Sequence, residues 1–428
     1  MKIFLDSIGC RLNQSEVEQF GRQLRSRGHK LTANPEEAEL ALVNTCAVTA
    51  KASSESRMKA RRLGETTSGG VVLTGCWSTL KPESAAAIPN VRGVVENNLK
   101  DDLVQILLPE DPIESDRGLL ARKPIPGIRS RTRAFVKVQD GCDLHCTFCV
   151  TTIARGPGYS IPVAKVIDDI RYAERGGAKE AVLTGVHLGS WGHDMSPQLS
   201  LRHLIENVLR ETDIPRLRLS SLEPWDLDAD FLLLWDNPRL CPHLHLPLQS
   251  GSDHILRRMA RRTTTEEFTA LVEMAKSLIP DVAITTDLIV GFPGESQDDF
   301  EQSLAFIEEL NLAGGHVFTY SERPDTPAIR LGGQVPHRVR KERSRRLRTV
   351  LRRGSIQFRS RQIGTERSVL WESIRGVGPD GFELSGWTDN YIRVKHVSER
   401  DLSNQISRVK LREFETEYDS ILVNLTDG

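Results

Sequence analysis

Cys142, Cys146 and Cys149 stand within the stretch GCDLHCTFC, separated by three residues and then by two. A thiolate is a soft metal ligand, and metal binding strips the proton from the thiol. Three such groups on one short loop can each cap one iron of a single cubane iron–sulfur cluster. The fourth iron then has no protein ligand. An open iron can take a ligand from outside, much as a catalytic zinc keeps one position free. The same spacing admits a second reading, a zinc ion with His145 or a distant residue as its fourth ligand.

Three further cysteines repeat a local pattern. Cys10, Cys46 and Cys76 each close a short apolar run, in IGC, NTC and TGC. The runs KIFLDSIGC, AELALVNTC, GVVLTGC and VRGVVEN alternate with polar stretches of helical character such as QSEVEQFGRQLRSRG and KASSESRMKARRLG. Strand followed by helix, repeated, is the pattern of a parallel-sheet α/β domain. The carboxyl ends of parallel strands share one edge, where ligands bind, so these three thiols converge on a site.

A Pro, Gly and charge-rich stretch from roughly 109 to 133 reads as a linker. Six more strand candidates follow, AFVKVQD, EAVLTGVHL, PRLRLSSLEP, HLHLPLQSG, AITTDLIVGFP and GGHVFTYS, with helical stretches between them. They predict a partial (β/α)6 barrel whose site lies at the strand carboxyl ends, where the loop of Cys142 begins. Residues 337–362 hold eleven Lys or Arg and one acid in a helical pattern. The last part, short strands broken by Gly and Asp, predicts a small β-barrel. The expected architecture is therefore α/β with domains at 1–115, 128–358 and 360–427.

The 57 Lys and Arg nearly cancel the 58 Asp and Glu, so any surface for nucleic acid must be local. The opening apolar run is broken at Asp6 and is too short for a signal-peptide core, and no run approaches the length of a membrane span. A cytoplasmic monomer that no membrane holds is expected. Seven cysteines in a chain this long do not suit a disulfide framework.

The loop of Cys142, Cys146 and Cys149, with Phe148 before the last cysteine and directly after the first barrel strand, resembles the signature of radical S-adenosylmethionine (SAM) enzymes. The resemblance implies that SAM chelates the open iron and is cleaved by one electron to methionine and a 5′-deoxyadenosyl radical. It extends over nearly the whole chain to the methylthiotransferases: GCRLNQSEVE, VNTCAVT and LTGC are similar to their amino-terminal domain, and QDGCDLHCTFC, LTGVHLG, LRLSSLEP, CPHLHLPLQSGSD, DLIVGFPGE and FTYSERPDTPA to their radical domain. SVLWE and GWTDNYIRV are similar to their TRAM domain, an RNA-binding β-barrel. This implies a second, auxiliary 4Fe–4S cluster on Cys10, Cys46 and Cys76, tRNA as substrate, and an electron donor such as flavodoxin or ferredoxin. VNTCAVT, LTGVHLGSWG and RLSSLEP are nearest the branch that places a methylthio group on C2 of N6-threonylcarbamoyladenosine, beside the tRNA anticodon. Other branches act on isopentenyladenosine or on a ribosomal-protein aspartate. A reading of another class is a non-catalytic zinc and RNA-binding protein. Where the family has a second Arg shortly after RG, this chain has Tyr159, while Arg155 is kept.

Several other residues are candidates at the barrel mouth. Gly185 and His187 end the second barrel strand, where the family places a loop against SAM, although a tight turn with a surface His has the same spacing. Glu223 and Asp287 near later strand ends could face cofactor or substrate, or form structural ion pairs. Ser220, Ser221 and Gln249 could bond ribose or base edges, or satisfy backbone groups. His243 and His245 alternate on one strand, which favours packing or substrate contact over metal. Cys241 reads as a small buried hydrophobe. In the last domain Arg375, Arg393 and Lys395, near Trp371, Trp387 and Tyr391, are candidate RNA contacts, with basic groups favoured over base stacking.

Overall fold

The computed structural model of the chain describes residues 1–109, 121–126, 132–415 and 420–426. Most of the expected linker, including the boundary at 128, lies outside the described residues, as does residue 427.

The first domain contains β1 (Lys2–Ser7), α1 (Arg11–Ser26), β2 (Lys30–Thr32), β3 (Leu40–Thr45), α2 (Ala50–Thr66), β4 (Val71–Gly75), α3 (Cys76–Leu80), α4 (Pro82–Ala86), β5 (Val91–Val95) and α5 (Leu103–Leu107). Its sheet is wholly parallel in the order β2-β1-β3-β4-β5. Successive side chains of a strand point to opposite faces, and both faces are covered. Ala41, Val43, Val71 and Leu73 pack with Ala60 and Leu63 of α2. Leu42 and Val72 pack the other way, with Val17, Phe20 and Leu24 of α1 and Leu103 of α5. Both-face burial explains the near-continuous apolar runs. The edge strand β2, KLT, has three residues and no such run, and the sequence does not announce it.

The described part of the linker is docked rather than trailing. Ile125 is buried in the α1 face of the core, and Arg122 bonds Glu18 of α1.

The central domain contains β6 (Arg133–Lys137), β7 (Gln139–Asp140), α6 (Thr151–Arg155), β8 (Tyr159–Ser160), α7 (Val163–Arg175), β9 (Glu180–Thr184), α8 (Leu201–Glu211), β10 (Arg216–Leu219), α9 (Ala229–Leu232), β11 (His243–His245), α10 (Asp253–Arg258), α11 (Thr265–Leu278), β12 (Ala283–Val290), α12 (Gln297–Leu310), β13 (Gly314–Thr319) and α13 (His337–Gln362). Two parallel three-stranded sheets, β10-β9-β6 and β11-β12-β13, are joined by parallel bridges at Leu217–Leu240 and Ser221–His245. The six strands thus run as one open barrel wall in chain order, as expected. Thr264 with Glu267, and Ser296 with Asp299, form capping boxes that start α11 and α12.

The basic helix α13 is built into the barrel. Arg343 meets Glu295 at 2.5 Å, Arg346 meets Glu301 at 2.7 Å and Arg353 meets Glu308 at 3.4 Å. Arg340 and Arg348 donate to the backbone carbonyls of Tyr320 and Val317. Much of the basic charge of residues 337–362 therefore fastens the helix to its own fold.

The last domain is a closed barrel, β14 (Glu366–Gly378), β15 (Gly381–Thr388), β16 (Arg393–Ser398), β17 (Ile406–Glu415) and β18 (Ser420–Leu425), ordered β14-β15-β16-β18-β17. Trp371 is fully buried in its core. Tyr391 stacks between His243 and Trp387, with centroid distances of 4.5 and 4.6 Å. Its hydroxyl accepts from Arg11 at 2.8 Å, and Arg218 lies 4.9 Å from its ring. One tyrosine thus joins all three domains, and these aromatics are spent on packing.

Candidate active site between two cysteine triads

The loop after β6 carries Cys142, Cys146 and Cys149 at the carboxyl end of the barrel wall. It is anchored along its length: the Cys142 amide donates to Gly156 O at 3.1 Å, the Thr147 amide to Met259 O at 3.1 Å, and the Cys149 amide to Cys146 O at 3.0 Å. Cations stand beside two of the thiols. Arg261 donates to Cys146 Sγ at 3.9 Å, meets Glu223 at 2.6 Å, and lies 4.6 Å from the Trp225 ring. His187 bonds Asp226 at 2.7 Å and stands close enough to Cys142 to feel its thiol. Burial would lower the pKa of His187, but Asp226 and Cys142 more than offset it and raise it to about 9. Burial pushes the Cys146 thiol up, against the pull of Arg261.

The second triad forms at three strand ends of the first domain, as the repeated pattern predicts. Cys46 and Cys76 are buried and Cys10 is exposed. The chain must bend sharply to bring them together. Gly9 has φ +93°, and a Cβ there would lie 2.5 Å from Cys46 Sγ. Gly75, at φ +98°, turns β4 directly into α3, and a Cβ there would strike Thr45 O and Asn44 Oδ1. Burial raises Cys46 to about 11, and the charges of Cys10 and Cys76 reinforce the shift. Asn97 Nδ2 reaches Cys76 Sγ at 3.8 Å, and Cys10 Sγ reaches Asn13 Oδ1 at 3.6 Å.

The elements that carry the two triads are packed together, α1 on β6 and α3 on α6. Asn97 also donates to Ala154 O in α6, at 2.7 Å. At the junction Arg155 is buried, with Glu16 at 2.9 Å, Asp140 at 2.7 Å and Asn13 at 2.8 Å. Lys100 meets Glu16 from the other side at 2.9 Å. Tyr159 joins this network at 3.4 Å from both Asp101 and Asp140. The sequence reading keeps Arg155 but misses its partners. Asn13 and Glu16, polar residues three apart on the face of α1 that also buries Leu12, Val17, Phe20 and Leu24, are the available signal.

The other candidates sort by their contacts. Gly185 packs closely on Gln139, whose Oε1 accepts from the amides of Val186 and His187 at 2.9 Å each. Glu223 is paired with Arg261, so its carboxylate acts on Cys146 through that arginine. Asp287 Oδ2 lies 3.4 Å from His245, while its Oδ1 and the Ser220 hydroxyl are buried without a protein partner. Ser221 bridges to His245 along the wall, and Gln249, at φ +81°, bonds β12 through its backbone. Phe148 packs beside Met259, Phe292 and Tyr320. His243 and His245 both contact the Thr285 hydroxyl, at 3.2 and 2.9 Å. Cys241 is buried 4.0 Å from Glu180, and burial pushes its thiol up to about 12. Arg375 is exposed on β14, Arg393 reaches Ser385 at 3.5 Å, and Lys395 meets Glu415 at 3.0 Å. Residues missed by sequence reasoning include Gln139, Asp226, Arg261 and Arg323, which lie in or beside loops without periodicity.

Among the described residues no three His, Cys, Asp or Glu side chains close on one point as the ligands of a single ion do. The fit to iron–sulfur clusters lies in the donor chemistry. Each triad offers three thiols, and the cations beside them, Arg261 and His187 at one and Arg155 at the other, suit the negative charge of a three-thiolate cluster.

Residues 136–307 match the Radical SAM superfamily, and residues 2–96 match Uncharacterized protein family UPF0004. The threonylcarbamoyladenosine tRNA methylthiotransferase MtaB of Thermotoga maritima is 36% identical over 409 residues, covering 92% of this chain and 91% of that protein. The protein of the same name from Bacillus subtilis is 31% identical over 416 residues, covering 95% and 92%. Among solved structures, the radical S-adenosylmethionine methyltransferase TsrM of Kitasatospora setae, with cobalamin and a [4Fe-4S] cluster bound, shares the fold with a TM-score of 0.58 at 15% identity, covering 76% of each chain. On these matches, the chain belongs to the radical SAM family of threonylcarbamoyladenosine tRNA methylthiotransferases.

Proposed function

We propose that this enzyme adds a methylthio group to C2 of N6-threonylcarbamoyladenosine at tRNA position 37. The observation that carries the reading is that two cysteine triads, each at the carboxyl edge of a parallel sheet, are borne by elements packed together at one junction. Cys142, Cys146 and Cys149 would hold the radical SAM cluster, and Cys10, Cys46 and Cys76 the auxiliary one. When bound, these groups would supply the one-electron cleavage of SAM and a place that presents sulfur for transfer.

The chain's own residues bind, orient and balance charge. Arg261, fixed by Glu223 and by the Pro247 carbonyl, keeps a cation on Cys146. His187, held by Asp226, does the same for Cys142. Gln139 fixes the backbone of Val186 and His187 against the cysteine loop, while Gly185 lets that loop approach. Asp287 and Ser220 offer polar atoms without protein partners to SAM or substrate, with Ser221, Gln249 and Phe148 completing the mouth. Arg375, Arg393 and Lys395 are assigned to the RNA backbone, Lys395 by exchanging Glu415 for a phosphate. The electron comes from a small reductant of the flavodoxin or ferredoxin class.

The test is anaerobic reconstitution followed by reaction with tRNA carrying threonylcarbamoyladenosine but no methylthio group, read by mass spectrometry of nucleosides. About eight irons per chain are expected for two cubanes. Cys142→Ala should abolish 5′-deoxyadenosine, whereas Cys46→Ala should retain it and lose the methylthio product. Product formed only on isopentenyladenosine tRNA or on a ribosomal protein would replace this substrate, and a colourless zinc protein would end the reading.

A further inference from the structure

A cleft of about 210 Å³, which none of the six cysteines lines, is walled by residues next to cysteines of both triads. Its walls are their neighbours in sequence: Ala47 follows Cys46, Trp77 follows Cys76 and Val150 follows Cys149. Arg57 of α2, Lys81 and Arg323, from the loop after β13, also line it, with Asp325 the acid among the lining residues. Arg57 and Lys81 are exposed, but Arg323 is only 8% exposed.

Arg323 departs from the pattern of its peers. The buried arginines among the described residues are Arg122, Arg155, Arg216, Arg218, Arg261, Arg323 and Arg343. All but Arg323 meet a carboxylate: Arg122 that of Glu18, Arg155 that of Glu16, Arg216 and Arg218 that of Glu180, Arg261 that of Glu223, and Arg343 that of Glu295. Arg323 donates from Nη2 to the Ser321 hydroxyl at 2.6 Å, and its Nε has no acceptor. Burial lowers its pKa, and its thiol neighbour Cys46 and Tyr320 only partly offset that. Burying a guanidinium without a counter-anion is costly. An anionic ligand removes the cost, and a planar fork suits an oxyanion with two oxygens.

We propose that this cleft receives the target nucleotide, with Arg323 holding one of its oxyanions and Arg57 and Lys81 holding flanking phosphates. The oxyanion is the threonyl carboxylate on the base or the phosphate beside it. This rests on the tRNA-modifying reading above. The position suits it, because a base seated there lies against residues adjoining cysteines of both triads.

The test uses full-length, anaerobically reconstituted enzyme and two anticodon stem-loop RNAs, one with threonylcarbamoyladenosine and one with plain adenosine at the target position. Affinities are measured by fluorescence anisotropy for wild type, Arg323→Gln, Arg323→Lys and the Arg57→Gln, Lys81→Gln double variant. Arg323→Gln should weaken the modified RNA by about tenfold or more, the loss expected for a charged hydrogen bond. A loss confined to the modified RNA assigns the carboxylate, and an equal loss on both RNAs assigns the phosphate. Arg323→Lys keeps the charge and should recover part of the affinity. The double variant should flatten the slope of log affinity against log salt by about 0.7–0.9 per cation removed.

Iron content and the electron paramagnetic resonance signal are recorded for each variant. Unchanged affinity in Arg323→Gln overturns the proposal, and a changed cluster signal with that unchanged affinity assigns Arg323 to the auxiliary cluster instead. Product formation by wild type separates the two levels: an inactive wild type sinks the methylthiotransferase reading, whereas an active one with unaltered variant affinities sinks the cleft.

Discussion

Replacing Arg155 with Met removes the charge at the centre of the junction while keeping a side chain of similar reach. Arg155 is almost fully buried and bonds Glu16, Asp140 and Asn13 at 2.7–2.9 Å. Without it Glu16 keeps Lys100 at 2.9 Å, and Asp140 keeps the Gly141 amide at 2.8 Å, the Tyr159 hydroxyl at 3.4 Å and, as its remaining cation, Lys137 at 3.6 Å. Removing one partner of a buried pair costs about 3–5 kcal/mol. Because Lys100 still covers Glu16, a loss near the lower end, about 3 kcal/mol, is expected. Burial alone pushes the Glu16 carboxyl up, but Arg155 and then Lys100 more than offset it and hold it far below the ordinary range. In wild type the stabilisation from Glu16 is therefore present above its unfolded value and is lost only as pH falls through the much lower folded value. In Arg155→Met the push of burial is less opposed, so the folded pKa of Glu16 rises and a proton relieves part of the cost at mild acidity. Urea titration under anaerobic conditions at pH 7 and pH 5 should show the gap between variant and wild type narrowing as pH falls. A loss below about 1 kcal/mol at pH 7, or a gap that widens on acidification, would refute this account of the junction.

Arg261→Met should leave Glu223 without its partner and Cys146 without its cation; iron per chain and 5′-deoxyadenosine yield should both fall, and Arg261→Lys should recover part of each. Tyr391→Ala deletes the ring stacked between His243 and Trp387, with an expected cost of about 3–5 kcal/mol; faster amide exchange confined to β14–β18 and their barrel contacts is the readout, and uniform protection would contradict it. On α13 the loss of one buried cation and the loss of two exposed ones should part company. Arg343→Met strands Glu295, whose carboxyl burial already pushes up, and should cost about 3–5 kcal/mol in urea unfolding, whereas Arg338→Gln with Lys341→Gln, on the exposed face, should leave stability within about 0.5 kcal/mol.

The parts of the structure that the sequence discloses are those with a local signature. The strands of both parallel sheets show as apolar runs because both faces are buried, and Cys10, Cys46 and Cys76 show because each sits where such a run stops. Lys30–Thr32 fails that test: an edge strand of three residues has too few side chains to make a pattern. Arginine-rich α13 shows the limit of reading charge by composition, since the acids that receive it, Glu295, Glu301 and Glu308, lie 45–48 residues earlier in the chain. Long-range pairing hides the rest of the site for the same reason. Glu16 and Arg155 are 139 residues apart, and Glu223 and Arg261 are 38.

Placement of the cations gives the junction its logic. On the proposed reading two anionic clusters would stand near one another and repel, and a low-dielectric interface would make that repulsion stronger. An apolar contact between α1 and β6 alone would hold the domains together without easing it. Arg155 does both, because its guanidinium bonds Glu16 of the first domain and Asp140 of the second while lying within reach of the charges of Cys10 and Cys76. Lys100 and Lys137 add further positive charge around Glu16. Arg323, which feels the charge of Cys46, has no carboxylate of its own. The interface is thus held by ion pairs at its closed end and left short of an anion at its open end, which is where an anionic nucleotide would complete the charge balance between the two triads.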